Sequence, residues 1–192
     1  MKKLFSKLLI TTIVSLGLLT TANAENVKVL MKTSMGNIEL ELYTDMAPIT
    51  VKNFLRYVDE EFYNGTIFHR VINSFMIQGG GFTSDMQKKR TNAAIQNEAH
   101  NGLKNQRGTI AMARTSAPHS ATAQFFINHV NNTSLDFPGA DGWGYTVFGK
   151  VTKGMETVDK IADVYITTRN GMRNVPEKPV IIESVTRLSA AK

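Results

Sequence analysis

The chain has 192 residues, no cysteine and a formal net charge of +6, and this length is typical of one domain with a single hydrophobic core. The lack of cysteine excludes a thiol nucleophile, a thiolate metal site and a lipid anchor on cysteine. The basic residues form no arginine-rich stripe and the aromatic residues lie mostly in apolar runs, so the composition does not favour nucleic-acid binding.

Residues 1–24 have the pattern of a secretory signal peptide. A basic start precedes a short apolar run over 8–19, and small residues stand at Ala22 and Ala24. A retained membrane anchor is the alternative, but the run is shorter than the about 20 residues that span a bilayer. We therefore expect cleavage after Ala24, a periplasmic domain over 25–192 without stable membrane insertion, and a net charge of +3 once three leader lysines are removed.

The next segments predict a hairpin and a helix. Two strands, over 27–33 and 37–43, flank a short turn that ends in Gly36. Asp45 is placed to cap a helix that has Pro48 in its first turn. Apolar residues then recur at helical spacing, at Val51, Phe54, Leu55 and Val58.

The region over 68–81 sets a cation and an amide among large apolar side chains and ends in three glycines. Because side chains alternate faces along a strand, Phe68 and Arg70 should share one face of a first strand. Met76 and Gln78 should share one face of the next strand, which brings the guanidinium and the carboxamide together. A solvated arginine beside plain core is the alternative for this pattern alone. Glycines 79–81 lack the lysine of a phosphate-binding loop and predict a tight turn beside the groove.

The C-terminal part predicts a second helix and a closing strand. Apolar residues again follow helical spacing at Met155, Val158, Ile161 and Ala162, and a strand is predicted over 178–188. Many short strands with few helices favour a closed β-barrel or a sandwich.

Three blocks in order carry a family resemblance. They are the 68–81 region, the run over 108–114 followed by Gln124-Phe125-Phe126-Ile127-Asn128, and the glycine-rich stretch over 135–151. Together they resemble the cyclophilins, a class of peptidyl-prolyl cis/trans isomerases, over about 27–188. The resemblance implies a mainly β fold, a closed eight-stranded antiparallel barrel capped by two α-helices. It also implies an isomerase that needs no cofactor and no metal.

The resemblance assigns roles to eleven residues. Arg70 would donate to the proline nitrogen, with Gln78 and Phe75 as the other catalytic positions. The substrate-binding positions would be Met76, Ala113, Arg114, Gln124, Phe126, Leu135, Tyr145 and His69. Within this set Gln124 would brace the site from behind and His69 would lie beside the groove.

The chemistry favours an arginine in such a site. Rotation about an X-Pro bond has a barrier of about 18 to 20 kcal/mol because resonance keeps the amide planar. In the twisted state the nitrogen regains a lone pair, so a donor aimed at it binds that state better than either planar isomer. Arginine stays charged at any relevant pH and presents a rigid fork of N–H groups.

Two positions depart from the family pattern. Ser134 stands where many eukaryotic cyclophilins carry the tryptophan that contacts cyclosporin, so we expect weaker inhibition by that drug. Tyr145 stands where a pocket histidine is common, and its hydroxyl could donate in place of that histidine. The flanking glycines also leave open that its ring turns away from the site.

Other site types have weaker support. The four histidines form no i, i+4 pair and have no cysteine partners, which does not favour a metal centre. A hydrolase could be assembled from Ser120, His129 and Asp136, but no Gly-x-Ser-x-Gly motif positions the serine.

Two function classes remain open. The first is an isomerase that accelerates folding of exported proteins. The second is a binding module or holdase that grips proline-containing segments, with isomerisation incidental. In either case the expected partners are proline-containing polypeptides, unfolded or folding, and the chain is expected to be a monomer.

Overall fold

The computed structural model describes residues 26–189. The predicted signal peptide over 1–24 lies outside these residues. Ten strands and two α-helices follow one another in this part of the chain: β1 (Val27–Thr33), β2 (Gly36–Leu42), α1 (Pro48–Asp59), β3 (Thr66–Ile72), β4 (Met76–Thr83), β5 (Thr109–Met112), β6 (Phe125–Asn128), β7 (Val147–Lys153), α2 (Met155–Ala162), β8 (Ile166–Arg169), β9 (Met172–Pro176) and β10 (Ile181–Arg187).

Eight of these strands close into an antiparallel barrel in the order β1-β10-β3-β4-β6-β5-β7-β2, and β8 and β9 form a separate hairpin. The predicted eight-stranded barrel with two helices is therefore confirmed. The β8–β9 hairpin was not predicted. Neither helix within residues 26–189 is long and apolar enough to cross a membrane.

The first hairpin has the predicted alternation. Side chains such as Met31 and Ile38 are fully buried, whereas their neighbours Lys32 and Asn37 are exposed. Gly36 begins β2 with a φ of 134°, and a Cβ there would lie 2.7 Å from the Thr157 hydroxyl. Glycine is required at this position because the backbone approaches α2 closely.

Helix α1 has the predicted apolar stripe but not the predicted cap. Its N-cap residue is Ala47, without a side-chain cap bond from its own neighbourhood. Instead the buried Glu98 carboxylate accepts from Ile49 N at 3.1 Å and from Thr50 N at 2.8 Å. The prediction for Asp45 was wrong because a carboxylate distant in sequence satisfies these helix-end N–H groups.

The two helices cover a core rich in aromatic side chains. The Phe54 ring of α1 lies 5.3 Å from Phe148 and 5.8 Å from Phe125, centroid to centroid. Val158 and Ile161 of α2 are fully buried in the same core cluster. Because the interior is filled by side chains, a ligand site has to lie on the outside of the barrel or at its rim.

A β-bulge in β3 corrects one prediction about side-chain faces. Phe68 pairs with Gly79 and Arg70 pairs with Gln78, so His69 is an extra residue on β3. Phe68 therefore packs in the barrel core, whereas Arg70 points outward. The two residues do not share a face because the bulge interrupts the period of two.

The three glycines also differ from prediction. They lie within β4 rather than in a tight turn. A Cβ at Gly80 would come within 2.8 Å of Phe125 and Tyr63, and a Cβ at Gly81 would come within 2.5 Å of Gln124. The run keeps this part of the strand free of side chains, which lets aromatic rings and Gln124 pack directly against the backbone.

Candidate active site

A cleft of about 110 Å³ lies on the outer face of strands β4, β6 and β5. Nine of the eleven predicted site residues line it: Arg70, Phe75, Met76, Gln78, Ala113, Arg114, Phe126, Leu135 and Tyr145. The other two, Gln124 and His69, lie outside this lining. Alternation along the strands produces the arrangement, since Ile77 and Ile127 point into the core while Met76 and Phe126 point out.

Arg70 stands at one side of the cleft and is partly buried. Its Nη1 lies 3.3 Å from Gln78 Oε1 and 4.0 Å from Met76 Sδ, and its guanidinium carbon lies 6.0 Å from the Phe75 ring centroid. No salt bridge joins Arg70 to a carboxylate within residues 26–189. Its charge is therefore offset only by neutral groups, which leaves the guanidinium able to donate to a ligand.

Gln78 is held in place by two neighbours. It accepts from Arg70, and its Nε2 donates to Gln124 Oε1 at 3.0 Å. Gln124 in turn lies directly against Gly81. Gln124 thus fixes the Gln78 amide from behind without lining the cleft, in the position that the sequence predicted for it.

The backbone of Ala113 is already partly used. Its N–H donates to the Gln124 carbonyl at 2.9 Å. This amide hydrogen is therefore not available to a substrate, and only acceptor groups of this backbone could hold one.

Much of the cleft wall is apolar. Met76 and Phe126 are 2 % and 4 % exposed and belong to a small hydrophobic cluster on the outside of the barrel, separate from the main core. Phe75, Leu135 and Tyr145 pack against this cluster and remain partly exposed. Within residues 26–189, the cleft therefore combines a cation that has no carboxylate partner with an apolar wall.

The Tyr145 ring lies in the cleft and does not turn away. It packs edge-on against Phe126 at 5.7 Å between centroids, and the Arg114 guanidinium carbon lies 4.5 Å from its centroid on the other side. A cation over an aromatic face is attracted by the ring quadrupole. The ring is thus held between two side chains that line the same cleft.

Arg114 is itself fixed by the glycine-rich loop. Its side chain is only 2 % exposed, its Nε donates to Gly144 O at 3.0 Å, and it forms a salt bridge with Asp141. The hydrogen bond from Arg114 lowers the pKa of Asp141 to about 2, and the N–H of Trp143 contributes further. Asp141 was not predicted from the sequence, where its only signal is an acid within a glycine-rich stretch.

His69 does not line the cleft. As the bulge residue it is 4 % exposed and packs against Phe82, with 4.7 Å between ring centroids. Burial lowers its pKa to about 4, so the imidazole is neutral near pH 7. The structure separates His69 from the predicted substrate-binding set, because the extra residue turns it toward Phe82.

The alternative hydrolase triad is not assembled. Ser120 Oγ donates to Ala117 O at 2.7 Å, and His129 Nε2 lies 3.1 Å from Asp159 Oδ1. Asp136 accepts from Asn105 N at 2.6 Å. Each member of the triad has a different partner, so no serine–histidine pair exists here to activate a nucleophile.

The comparisons with known proteins agree on one family. Residues 28–187 match the family model described as "Cyclophilin type peptidyl-prolyl cis-trans isomerase/CLD". The chain is 62% identical over 157 residues to peptidyl-prolyl cis-trans isomerase B of Escherichia coli, covering 80% of this chain and 95% of that protein. It is 60% identical over 170 residues to a peptidyl-prolyl cis-trans isomerase of Acinetobacter baylyi, covering 88% and 90%.

Among solved structures, a cyclophilin type peptidyl-prolyl cis-trans isomerase of Cryptosporidium parvum is similar in fold. That protein was crystallised in the presence of the dipeptide Ala-Pro. It matches with a TM-score of 0.70 and 28% identity, covering 85% of this chain and 99% of the other.

Proposed function

This chain belongs to the cyclophilin-type peptidyl-prolyl cis-trans isomerases, and we propose that it isomerises X-Pro bonds by donation from Arg70 to the proline nitrogen. The observation that carries the proposal is the position of Arg70. It is a cation without a carboxylate partner within residues 26–189, at the edge of a cleft whose other side is apolar.

The apolar wall is suited to a proline ring. Met76, Phe126 and Leu135 offer hydrophobic contact, while Phe75 limits the side next to Arg70. With the ring held there, the guanidinium lies on the polar side, where the proline nitrogen develops its lone pair as the amide twists. A donor that binds this lone pair stabilises the transition state and not the planar ground states.

The acceleration that the enzyme has to provide is modest, which suits a non-covalent mechanism. Uncatalysed isomerisation takes tens to hundreds of seconds. Turnover at about a thousand per second requires an acceleration of roughly 10⁵, or about 7 kcal/mol. Two effects lower the barrier here. One is a charge-assisted hydrogen bond, and the other is a low-dielectric cleft that favours the less dipolar twisted amide.

Gln78 has a positioning role in this proposal and also holds substrate. Its Oε1 orients the Arg70 fork, while Gln124 fixes the rotation of its amide. A guanidinium that is already oriented loses little entropy when the substrate binds.

We further propose that the substrates are exported proteins that are folding in the periplasm. The support is the signal-peptide pattern over 1–24 and a reaction that needs neither ATP nor a cofactor. Intact-mass measurement of the protein from a periplasmic fraction should give a chain that begins at Glu25. A mass that includes residues 1–24, or recovery in the cytoplasmic fraction alone, would contradict export.

One variant separates isomerisation from the holdase alternative. With Arg70→Ala, catalysis of a refolding reaction limited by an X-Pro bond should fall by roughly 10²-fold or more, the size expected for removing one transition-state donor. Arg70→Lys, which keeps the charge but loses the fork, is the matched control and should retain part of the rate. Suppression of aggregation is measured on the same proteins. Retained suppression with lost catalysis would separate the two activities. If Arg70→Ala keeps its refolding catalysis, the proposed mechanism is wrong.

A further inference from the structure

Exposed apolar side chains gather on one side of the cleft. Residues 26–189 include six large apolar residues that are clearly exposed, and four of them belong to this group, which we name the apolar patch: Met46, Ile49, Phe137 and Trp143. Tyr165 and Ile166, the other two, lie at the start of the β8–β9 hairpin.

The patch is built around the loop over 96–100. Met46 and Ile49 line a groove of about 380 Å³ together with Gln96, Glu98 and His100 of this loop. The Phe137 ring contacts His100 at 6.4 Å between centroids.

Trp143 joins the same surface through His119. Its ring lies 4.8 Å from that of His119, whose Nδ1 accepts from Asn97 N at 3.1 Å. The four apolar side chains come from α1, the turn before it and the glycine-rich loop. All four are thus linked to the loop over 96–100. A group of exposed apolar side chains gathered in one region is typical of an interaction site.

The groove is linked to the cleft through shared lining residues. Arg114 lines the cleft and also a small hollow next to it, and Gln96 lines both that hollow and the groove. The buried Arg114 side chain keeps this path in place through its bonds to Gly144 and Asp141. A polypeptide that leaves the cleft past Arg114 is therefore directed toward Gln96 and the groove.

We propose that the apolar patch binds a large apolar side chain of the same polypeptide whose proline occupies the cleft. This inference rests on the proposed function, and it defines the preferred substrates as unfolded segments with an aromatic or aliphatic residue at a distance from the proline. Segments of this kind are exposed in folding intermediates. Methionine adapts its shape to different side chains, which suits a site that accepts many sequences.

The test uses synthetic peptides and one double variant. A short Ala-Ala-Pro-Ala peptide is compared with longer Ala/Ser/Gly peptides that contain the same core and one Phe, placed at successive positions on either side of the proline. Affinity is measured by titration calorimetry and isomerisation by exchange NMR. For the unaltered protein, Phe at certain positions on one side should tighten binding by about fivefold to tenfold, as expected for partial burial of one aromatic side chain.

The double variant Met46→Ser/Ile49→Ser should lose this gain and keep its affinity and exchange rate for the short peptide. Both side chains are nearly half exposed, so the variant should keep the same melting temperature. Tyr165→Ser/Ile166→Ser removes another exposed pair, which lines neither the cleft, nor the hollow, nor the groove, and should keep the gain.

Three results would overturn the inference: no Phe position improves binding, the gain persists without Met46 and Ile49, or the control pair loses it equally. Concentration-dependent dimers in sedimentation that disappear in Met46→Ser/Ile49→Ser would also overturn it, since a second copy would then occupy the patch. A Phe-dependent gain in affinity without any exchange would support the patch and contradict the proposed isomerase mechanism, so the two claims fail separately.

Discussion

At the scale of single residues, the site depends on how a few charged groups are held. Arg70 forms no salt bridge within residues 26–189, whereas the Arg114 side chain is bound by Asp141 and Gly144. We therefore expect different roles for the two arginines. Arg70 acts on the substrate, and Arg114 positions the Tyr145 ring.

Asp141→Asn tests the positioning role. Without the carboxylate the Arg114 guanidinium loses its charged partner, and Tyr145 becomes free to move. We expect kcat/KM for an Ala-Pro peptide to fall by roughly threefold to tenfold, mainly through KM, because the ring forms a wall in ground and transition states alike. Steady-state kinetics with Asp141→Glu should show partial rescue. Glu60→Gln removes the exposed salt bridge to Arg56 and should leave kcat and KM unchanged. An equal loss of kcat/KM in this control would contradict the positioning role of Asp141.

His69 gives a prediction about pH. Its folded pKa of about 4 lies below the ordinary value of 6.5, so the unfolded chain binds more protons between these values. The neutral imidazole therefore makes its full contribution to the free energy of unfolding above pH 6.5. This contribution, about 3 kcal/mol in total, is lost as the pH falls toward 4.

Urea unfolding between pH 7 and pH 4.5 measures this loss. His69→Phe should remove most of the decline in unfolding free energy over this window, and His100→Gln, at an exposed histidine, should not. A decline of the same size in His69→Phe and in the unaltered protein would show that other groups cause it.

Residue identity predicted most of the cleft and the supporting Gln124, but not the other supports. The nine lining residues belong to blocks whose resemblance to a family assigned them a place. Asp141 and the orientation of His69 were missed, since both depend on contacts between loops or on an extra residue in a strand. Spacing along the chain does not carry that information.

At the scale of elements, periodic patterns predicted which segments are helices and strands, while the irregular features escaped. The stripe on α1 was found because its period of 3.6 is local. The bulge in β3 was not, because a single extra residue leaves no mark in a run of seven. This bulge separates Phe68 from Arg70 and so decides which side chain enters the core and which enters the cleft.

The cap of α1 gives the prediction at this scale. Glu98→Gln leaves fewer acceptor positions for the N–H groups of Ile49 and Thr50 and removes a negative charge from the helix N-terminus. We expect the unfolding free energy to fall by about 1 to 2 kcal/mol in chemical denaturation. Asp45→Asn, at the position that local sequence rules favoured, should change it little. A larger loss of unfolding free energy in Asp45→Asn than in Glu98→Gln would show that Asp45 is the cap.

At the scale of the whole molecule, the barrel is a closed support with its chemistry on the outside. Helices α1 and α2 complete a core that leaves no room for substrate, and the outer face of β4, β6 and β5 carries the cleft. The barrel could be predicted because three motif blocks resemble a known family in the same order. The β8–β9 hairpin could not, since it lies outside those blocks. The apolar patch could not either, since only Phe137 and Trp143 belong to a block, whereas Met46, Ile49 and the loop over 96–100 lie outside all three.

The most direct test of the account is the cis/trans exchange rate of a short Ala-Pro peptide, measured by NMR with residues 25–192 and with the Arg70→Ala variant at equal saturation. We predict fast exchange that falls by roughly 10²-fold or more in the variant while the peptide still binds. Equal exchange rates for the two proteins would contradict the role of Arg70. Rates near the uncatalysed value for both would instead leave a peptide-binding barrel without the catalytic step proposed for it.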